Sequence, residues 1–228
     1  MDYVSQERRQ VGVLIIGSGF AGLGAAIRLA KAGRDDYLVV ERGGEVGGTW
    51  RDNTYPGAAC DVPSHLYSYS FELNPDWSRS FSPQAEIQQY LRDTARKYGT
   101  LDHHLFGTEV TLARWDEELE QWLVDTTNGG FSADVLVPAV GALCEPALPD
   151  IKGIETFQGE IFHSARWNHD ADLAGKRVAL IGTGASAIQI GPELAETAGE
   201  LAVYQRTAPW VMPRSDRPYR KVERLAFR

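Results

Sequence analysis

Three closely spaced glycines near the start of the chain are arranged to hold a phosphate group. Gly17, Gly19 and Gly22 complete the pattern G-x-G-x-x-G directly after the apolar residues 11–16. In that setting the first glycine permits a tight turn, the second lets a pyrophosphate approach the backbone, and the third lets a helix pack closely on a strand. The start of that helix would present backbone N–H groups to the anion. The pattern predicts a dinucleotide-binding loop; a glycine-rich turn without a ligand is the alternative.

An acidic residue stands where the ribose of such a dinucleotide would lie. Glu41 follows Gly17 by 24 positions, at the end of the apolar residues 37–40. A carboxylate at that point accepts hydrogen bonds from ribose hydroxyls and repels a 2′-phosphate. The first loop is therefore expected to bind FAD or NAD.

A second glycine pattern lies near the end of the chain and carries the opposite charge. Gly182 and Gly184 are followed by Ala187 in the third place, which the motif permits. Counting 24 positions from Gly182 leads to Arg206. A guanidinium suits a phosphate, so this loop is expected to prefer NADP over NAD, unless Arg206 is a solvated surface residue. Together the two loops imply hydride transfer from NADPH to a flavin.

The composition excludes several other classes of protein. The chain has 228 residues, of which 43% are hydrophobic, and this is typical of one or two globular domains. A net charge of −8 disfavours general nucleic-acid binding. Cys60 and Cys144 form no Cys-x-x-Cys pair and accompany no paired histidines, so we expect no metal site, no redox disulfide and a reducing cytoplasm. Residues 11–27 include five glycines, which favours a nucleotide fold over a signal peptide or membrane helix.

The elements that would position the two loops follow the order strand, helix, strand in both places. Pro192 falls inside the second of these helices and predicts a kink or an early end there. The predicted ranges are 11–16, 20–32 and 37–40 in the first unit, and 177–181, about 185–198 and 201–205 in the second.

Other elements are predicted between the two units. Residues 43–81 lack sustained periodicity and predict a long ordered loop, and residues 83–98 have helical spacing. The residues from 109 to 140 predict an antiparallel meander whose second and third strands are joined by a turn at Asn128-Gly129-Gly130. Its strands are expected at 110–115, 122–126 and 135–140, before a linker marked by Pro146 and Pro149.

Two further stretches give the sequence a family resemblance. The residues from Gly47-Gly48-Thr49-Trp50 through Tyr55-Pro56-Gly57 to Asp61 match the pattern [A/G]-G-x-W-x4-[F/Y]-P-[G/M]-x3-D at every fixed position. Residues 157–167 are close to the pattern F-x-G-x3-H-[T/S]-x2-W. With these motifs the chain resembles the flavin-dependent monooxygenases of the Baeyer-Villiger type and their flavin-containing relatives, from residue 11 to about residue 214.

The resemblance implies an α/β fold with a Rossmann-like FAD-binding domain at residues 1–148, which contains the three-stranded β-meander. The start of a second Rossmann-like, NADP-binding domain would follow at 149–228. In such enzymes NADPH reduces FAD, a C4a-peroxyflavin forms with O2, and one oxygen atom is inserted into a ketone to give an ester or lactone. The partners would be O2 and a small ketone or heteroatom substrate, with no nucleic acid and no membrane.

The resemblance also implies a set of site residues, carried over by motif. Asp61 would lie beside the flavin and orient a catalytic arginine, and His163 would couple the domains rather than transfer a proton. The residues expected to line FAD are Gly17, Gly19, Ala21, Gly22, Glu41, Thr49, Trp50, Asp61, Tyr67 and Val110. The residues expected to contact NADP are Ala59, Cys60, Asp61, Gly182, Thr183, Gly184, Ala185, Ser186, Ala187, Ile188, Arg206 and Thr207.

Other functions are kept as alternatives. Ser164 and Asn168 depart from the strict Baeyer-Villiger pattern, which has threonine and then proline or aspartate there, and they favour relatives that oxidise nitrogen or sulfur. The expected catalytic arginine and the rest of the NADP domain have no counterpart in the sequence, so a dinucleotide-binding fragment without activity is a further alternative, and association through the incomplete C-terminal lobe is expected. The basic residues 214–228 are expected to be a solvated face of an interrupted helix.

Overall fold

The computed structural model describes residues 8–227, and its helices and strands lie close to the expected ranges. The strands are β1 (Arg9–Ile16), β2 (Tyr37–Val40), β3 (His104–Leu105), β4 (Val110–Asp116), β5 (Gln121–Thr126), β6 (Gly129–Pro138), β7 (Arg177–Ile181) and β8 (Glu200–Tyr204). The helices are α1 (Phe20–Lys31), α2 (Thr49–Asp52), α3 (Gln84–Lys97), α4 (Ala185–Thr197) and α5 (Lys221–Ala226). Both strand-helix-strand units and the helix near residues 83–98 are confirmed.

The chain forms two compact units. The first runs to Arg51 and resumes with Gln88–Cys144, and the second comprises Asp52–Ile87 and the chain from Glu145 onwards. Residues 52–87 therefore pack with the later part of the chain, although the sequence analysis placed them before the expected domain border at 148. That border was defined by which cofactor each part binds, and it stays a prediction.

A six-stranded sheet forms the centre of the first unit. Its strand order is β3-β2-β1-β6-β5-β4, with parallel pairing among β3, β2, β1 and β6. Alternate residues of β1 and β2 enter two different hydrophobic clusters: Leu14 and Leu38 pack with Phe131, whereas Ile15 packs with Ala26 of α1. Because these parallel strands are covered on both faces, their sequences are continuous apolar runs.

The meander does not stand apart from this sheet. β6 pairs antiparallel with β5 at its start and parallel with β1 along most of its length. It begins at Gly129, six residues before the expected start at 135, because Gly129 and Gly130 belong to the strand rather than to the turn. The turn itself falls at residues 127 and 128, where the Asn128 N–H donates to Thr126 Oγ1 (3.1 Å).

The second unit contains the other strand-helix-strand element. β7 and β8 pair in parallel in a two-stranded sheet, and α4 connects them. Of the two outcomes predicted for Pro192, the early end is wrong, because α4 runs through Pro192 to Thr197, and the kink stays a prediction. Residues on both sides of the proline anchor the helix, because Ile190 and Leu194 are buried.

The first part of the basic tail, residues 214–220, is not helical, whereas residues 221–226 form the short helix α5 with most of its residues exposed, as expected. The first part is extended and lies along residues 78–82 of the same unit: the Tyr219 N–H donates to Ser78 O (3.0 Å), and the Ser80 N–H donates to Arg217 O (2.9 Å). Asp216 pairs with Arg79 (2.7 Å). The sequence analysis considered only the charges of the tail, whereas backbone pairing with a distant segment determines the conformation of its first part.

Candidate dinucleotide-binding sites

The two glycine loops adopt the same backbone conformation. Gly17 and Gly182 have φ angles of +96° and +107°, which favour glycine. Gly19 and Gly184 are the N-caps of α1 and α4, with φ near −75° and −74°. The first helical hydrogen bonds run from Leu23 N to Gly19 O (3.0 Å) and from Ile188 N to Gly184 O (3.1 Å). The N–H groups before those bonds have no acceptor within the helix, and they are the usual donors to an anion.

Close packing explains the glycines of the first loop. A Cβ on Gly22 would overlap the Gly17 carbonyl oxygen, and a Cβ on Gly17 would lie 2.6 Å from Ala139 O. The residues at the mouth of the loop are less tightly packed: Ala21 is exposed, and a Cβ on Gly19 would make ordinary contact with Gly48. Gly22 is therefore required for the fold, whereas Gly19 and Ala21 leave the loop open to a ligand.

Glu41 is a buried charged residue of the first unit. It is 4% exposed, and Oε2 accepts a hydrogen bond from Ser18 N (2.8 Å) while Oε1 accepts one from Gly43 N (2.7 Å). The Arg51 guanidinium lies 2.8 Å from Oε1. The carboxylate thus joins the glycine loop to the segment after β2. The sequence analysis did not identify Ser18, Gly43 or Arg51 as partners, since these contacts have no spacing signal.

Residues 47–50, which begin the motif that ends at Asp61, lie against the first glycine loop. Gly47 N donates to Ser18 O (2.9 Å), and a Cβ on Gly48 would lie 3.0 Å from the Gly19 Cα. Thr49 and Trp50 follow directly as the first residues of α2. The fold therefore brings the predicted FAD residues of the two motifs together. Val110 opens β4 and packs against the core cluster of the sheet.

The second loop is more open than the first. A Cβ on Gly182 or Gly184 would meet no atom within 4 Å. Gly182 N donates to Tyr204 O (2.9 Å), which ties the loop to the end of β8. Arg206 and Thr207 follow that strand and are exposed. In place of the buried carboxylate of the first unit, the second unit presents an exposed guanidinium.

The segment from Tyr55 to Asp61 lies beside α4 within the second unit. Tyr55 and Ala59 both hydrogen-bond the Gln189 side chain. Cys60 is buried, its thiol donates to Val62 O (3.1 Å), and burial raises the pKa of that thiol. Asp61 is exposed. The fold thus brings Ala59 to the helix of the second loop, and Cys60 is the next residue of the chain.

The predicted residues are divided between the units. Tyr67 and Asp61, expected to line FAD, belong to the second unit, whereas the other residues of that set belong to the first. The predicted NADP residues all lie in the second unit.

The residues around His163 form a local turn. His163 Nδ1 accepts a hydrogen bond from Ala165 N (3.0 Å) at the start of the 3-10 turn Ser164–Arg166. Phe162 and Trp167 pack edge to face, with ring centroids 5.1 Å apart. The imidazole therefore closes a local turn, and the expected role of His163 in coupling the domains stays a prediction.

A cavity of about 380 Å³ opens in the second unit beside the Tyr55 segment. Arg214 projects into it, with its guanidinium 5.3 Å from the Phe81 ring centroid and Nη1 3.3 Å from Cys60 O. The other lining residues are Tyr55, Gly57, Ala58, Ala59, Arg79, Pro83, Gln84, Ala85, Glu193 and Asp216. The sequence analysis assigned no role to Arg214, and the backbone pairing of the tail is what brings it here.

Comparison with known families matches this arrangement of two loops. The profile of the pyridine nucleotide-disulphide oxidoreductase family matches residues 14–223. The chain belongs to this family. The name does not imply a reactive disulfide in this member, because Cys60 and Cys144 are both free thiols.

Individual relatives narrow the comparison. A Baeyer-Villiger monooxygenase of Streptomyces coelicolor is 54% identical over 223 residues, which are 98% of this chain and 43% of that protein. The structure of OTEMO in complex with FAD and NADP matches with a TM-score of 0.89 and 38% identity, over 97% of this chain and 44% of that one. Oxidized steroid monooxygenase bound to NADP matches with a TM-score of 0.87 and 40% identity, over 95% and 42% of the two chains.

These matches confirm the resemblance and the fold class that the motifs predicted. The chain spans less than half the length of the relatives that it matches. Within residues 8–227, no helix is long and apolar enough to cross a membrane. The same residues contain no cluster of three or more histidine, cysteine or acidic side chains suited to a metal ion.

Proposed function

We propose that this chain carries the FAD- and NADP-binding part of a Baeyer-Villiger type monooxygenase that uses NADPH and O2 to convert a ketone into an ester or lactone. The observation that carries this proposal is the contrast between the two loops, a buried Glu41 after the first and an exposed Arg206 after the second. A carboxylate selects against a 2′-phosphate and a guanidinium selects for one, so the two loops suit two different dinucleotides. The relatives named above support the reaction type.

The first loop has the donors and acceptors that FAD requires. A carboxylate has about four acceptor positions, and the contacts with Ser18, Gly43 and Arg51 use three of those on Glu41. One position is left for a ribose hydroxyl. Ser18 Oγ is also buried without a hydrogen-bond partner among residues 8–227. When bound, FAD would supply the chemistry of hydride acceptance and oxygen activation.

The other residues bind and orient the two cofactors. The N–H groups at the start of α1 and α4 would hold the pyrophosphates, while Arg206 and Thr207 would hold the 2′-phosphate of NADP. Ala59 and Cys60 would contact the remaining part of NADP. We propose Asp61 as the residue of this chain nearest to the reacting atoms; its exposed carboxylate would orient a cationic partner. The setting for this chemistry would be the cytoplasm.

The first test uses anaerobic reduction of FAD bound to the 228-residue chain. NADPH is expected to bleach the flavin much faster than NADH does, and Arg206→Glu is expected to reverse that preference. A matched control is Arg177→Glu, at an exposed position of β7. Equal rates with both nucleotides, unchanged by Arg206→Glu, would contradict the assignment of the second loop, and failure to retain FAD would contradict that of the first.

A second test identifies the oxygenation product. Ester formation from a panel of ketones is expected. Sulfoxide or N-oxide formation without ester would favour the alternative suggested by Ser164 and Asn168. A chain that binds both cofactors but oxygenates no ketone, thioether or amine would be a dinucleotide-binding part without activity of its own.

A further inference from the structure

Gln189 of α4 makes hydrogen bonds to a distant segment of the chain through both ends of its side-chain amide. It is the fifth residue of α4 and is half-buried. Its Oε1 accepts hydrogen bonds from the Tyr55 hydroxyl (3.0 Å) and, at 3.4 Å, from Ala59 N. Its Nε2 donates to Ala59 O (2.9 Å). Both ends of one amide side chain are thus occupied by a segment 130 positions away in the sequence.

The backbones of the same two segments also meet. Gly57 has a φ of +77°, and a Cβ at this position would lie 2.6 Å from Gln189 O and 3.2 Å from Glu193 Cγ. The turn between Tyr55 and Ala59 therefore lies directly on α4, and glycine is required both for its conformation and for its proximity. Side-chain and backbone contacts independently fix the same segment on the same helix.

From these contacts we propose that Gln189 is a positioning residue, which sets Ala59 and Cys60 at the correct distance from the second glycine loop to hold the nicotinamide half of NADP. This role rests on the proposed function. Arg206 accounts for the 2′-phosphate and the start of α4 for the pyrophosphate, so the nicotinamide riboside is the part left for Ala59 and Cys60. Preorganised contacts cost no ordering when the ligand binds, which is why loss of the amide weakens binding.

The test compares two ligands that share the adenosine half. NADP⁺ extends to the nicotinamide, whereas adenosine 2′,5′-bisphosphate has the 2′-phosphate and adenine but no nicotinamide. Gln189→Met keeps the length of the side chain and removes all three hydrogen bonds. We expect it to weaken NADP⁺ binding about tenfold, the factor that corresponds to one net hydrogen bond of ordinary strength, and to leave binding of the bisphosphate unchanged. Calorimetric titration of the 228-residue chain measures both.

Controls separate this role from a general effect on folding. Glu196→Met changes an exposed residue of the same helix and is expected to change neither affinity. Tyr55→Phe removes one of the three hydrogen bonds and is expected to weaken NADP⁺ binding about threefold, and this milder variant serves if Gln189→Met does not fold. Gln189→Glu keeps the acceptor for Tyr55 but places an oxygen against Ala59 O, so it is not expected to restore binding.

The affinities for the two ligands show whether Gln189 has the proposed positioning role. Equal weakening of both ligands would show that Gln189 supports the helix alone and would overturn the positioning role. Unchanged NADP⁺ binding in both Gln189→Met and Tyr55→Phe would overturn it as well. If the unsubstituted chain binds neither ligand, the proposed function of the second loop fails and the role of Gln189 fails with it. If the chain binds the bisphosphate as tightly as NADP⁺, the nicotinamide half adds no affinity. That result would support the assignment of the second loop and overturn the Gln189 proposal.

Discussion

Replacing Glu41 with glutamine changes one oxygen of a buried carboxylate to an amide nitrogen and removes its charge. In the native chain the two oxygens accept hydrogen bonds from Ser18 N (2.8 Å) and Gly43 N (2.7 Å). Glutamine has one acceptor oxygen, so one of these backbone N–H groups would face an NH2 group and lose its partner. A buried donor left without an acceptor costs about 1–3 kcal/mol.

Loss of the Glu41 charge adds a second contribution to the destabilisation. Arg51, whose side chain is 14% exposed, lies 2.8 Å from the Glu41 carboxylate. Removal of one partner from a buried pair costs about 3–5 kcal/mol, but Arg51 also donates to Glu45 O (2.7 Å) and keeps that contact. We therefore expect Glu41→Gln to lower the free energy of unfolding by about 3 kcal/mol in total.

Urea unfolding of the cofactor-free chain, followed by circular dichroism, measures this change. With a slope of about 2 kcal/mol per molar urea, the midpoint should fall by about 1.5 M. Glu45→Gln is the matched control, since the side chains of Glu45 and Arg92 are 40% and 36% exposed. An exposed pair contributes below about 1 kcal/mol. If Glu41→Gln costs no more than Glu45→Gln, the reasoning about the buried carboxylate is refuted.

Three further predictions follow from particular positions. Gly22→Ala should prevent stable folding of the first unit, because its Cβ would overlap Gly17 O; a native circular dichroism spectrum would contradict this. Gly184→Ala should lower the urea midpoint by no more than about 0.5 M, the effect of a poorer N-cap, yet weaken NADP⁺ binding measured by calorimetry, since its Cβ meets no protein atom within 4 Å but would fill the space above the loop; unchanged affinity would argue against a ligand there. Hydrogen bonding and charge from Arg217 lower the pKa of Glu223 from 4.5 to about 2. The stabilisation from this pair should be complete above pH 4.5 and lost as the pH falls through about 2, and a carboxyl NMR titration midpoint near 4.5 would contradict it.

The parts of the fold that the sequence predicted well are those with local signals. β2 and β7 have the expected bounds because apolar runs end at glycine or charge, and α3 begins and ends within one residue of the expected range. The start of β6 was misplaced because Gly129 and Gly130 resemble turn residues, although pairing with β5 and β1 holds them in the sheet.

Contacts between distant segments could not be predicted. The glycine loops and the charge after each second strand follow from motif spacing, which the fold preserves. The Gln189 contacts with Tyr55 and Ala59, and the docking of residues 214–219 on residues 78–82, depend on tertiary pairing that leaves no periodic pattern. The same holds for Arg214, which reaches its cavity because Asp216 is fixed by Arg79.

The claim that the chain has two separate dinucleotide sites is tested most directly by titration of NADP⁺ into the 228-residue chain, once alone and once with saturating FAD. We predict one FAD site and one NADP⁺ site per chain, with NADP⁺ binding retained when FAD is saturating. Loss of the NADP⁺ signal in the presence of FAD would mean a single shared site. If neither FAD nor NADP⁺ binds, both assignments are contradicted.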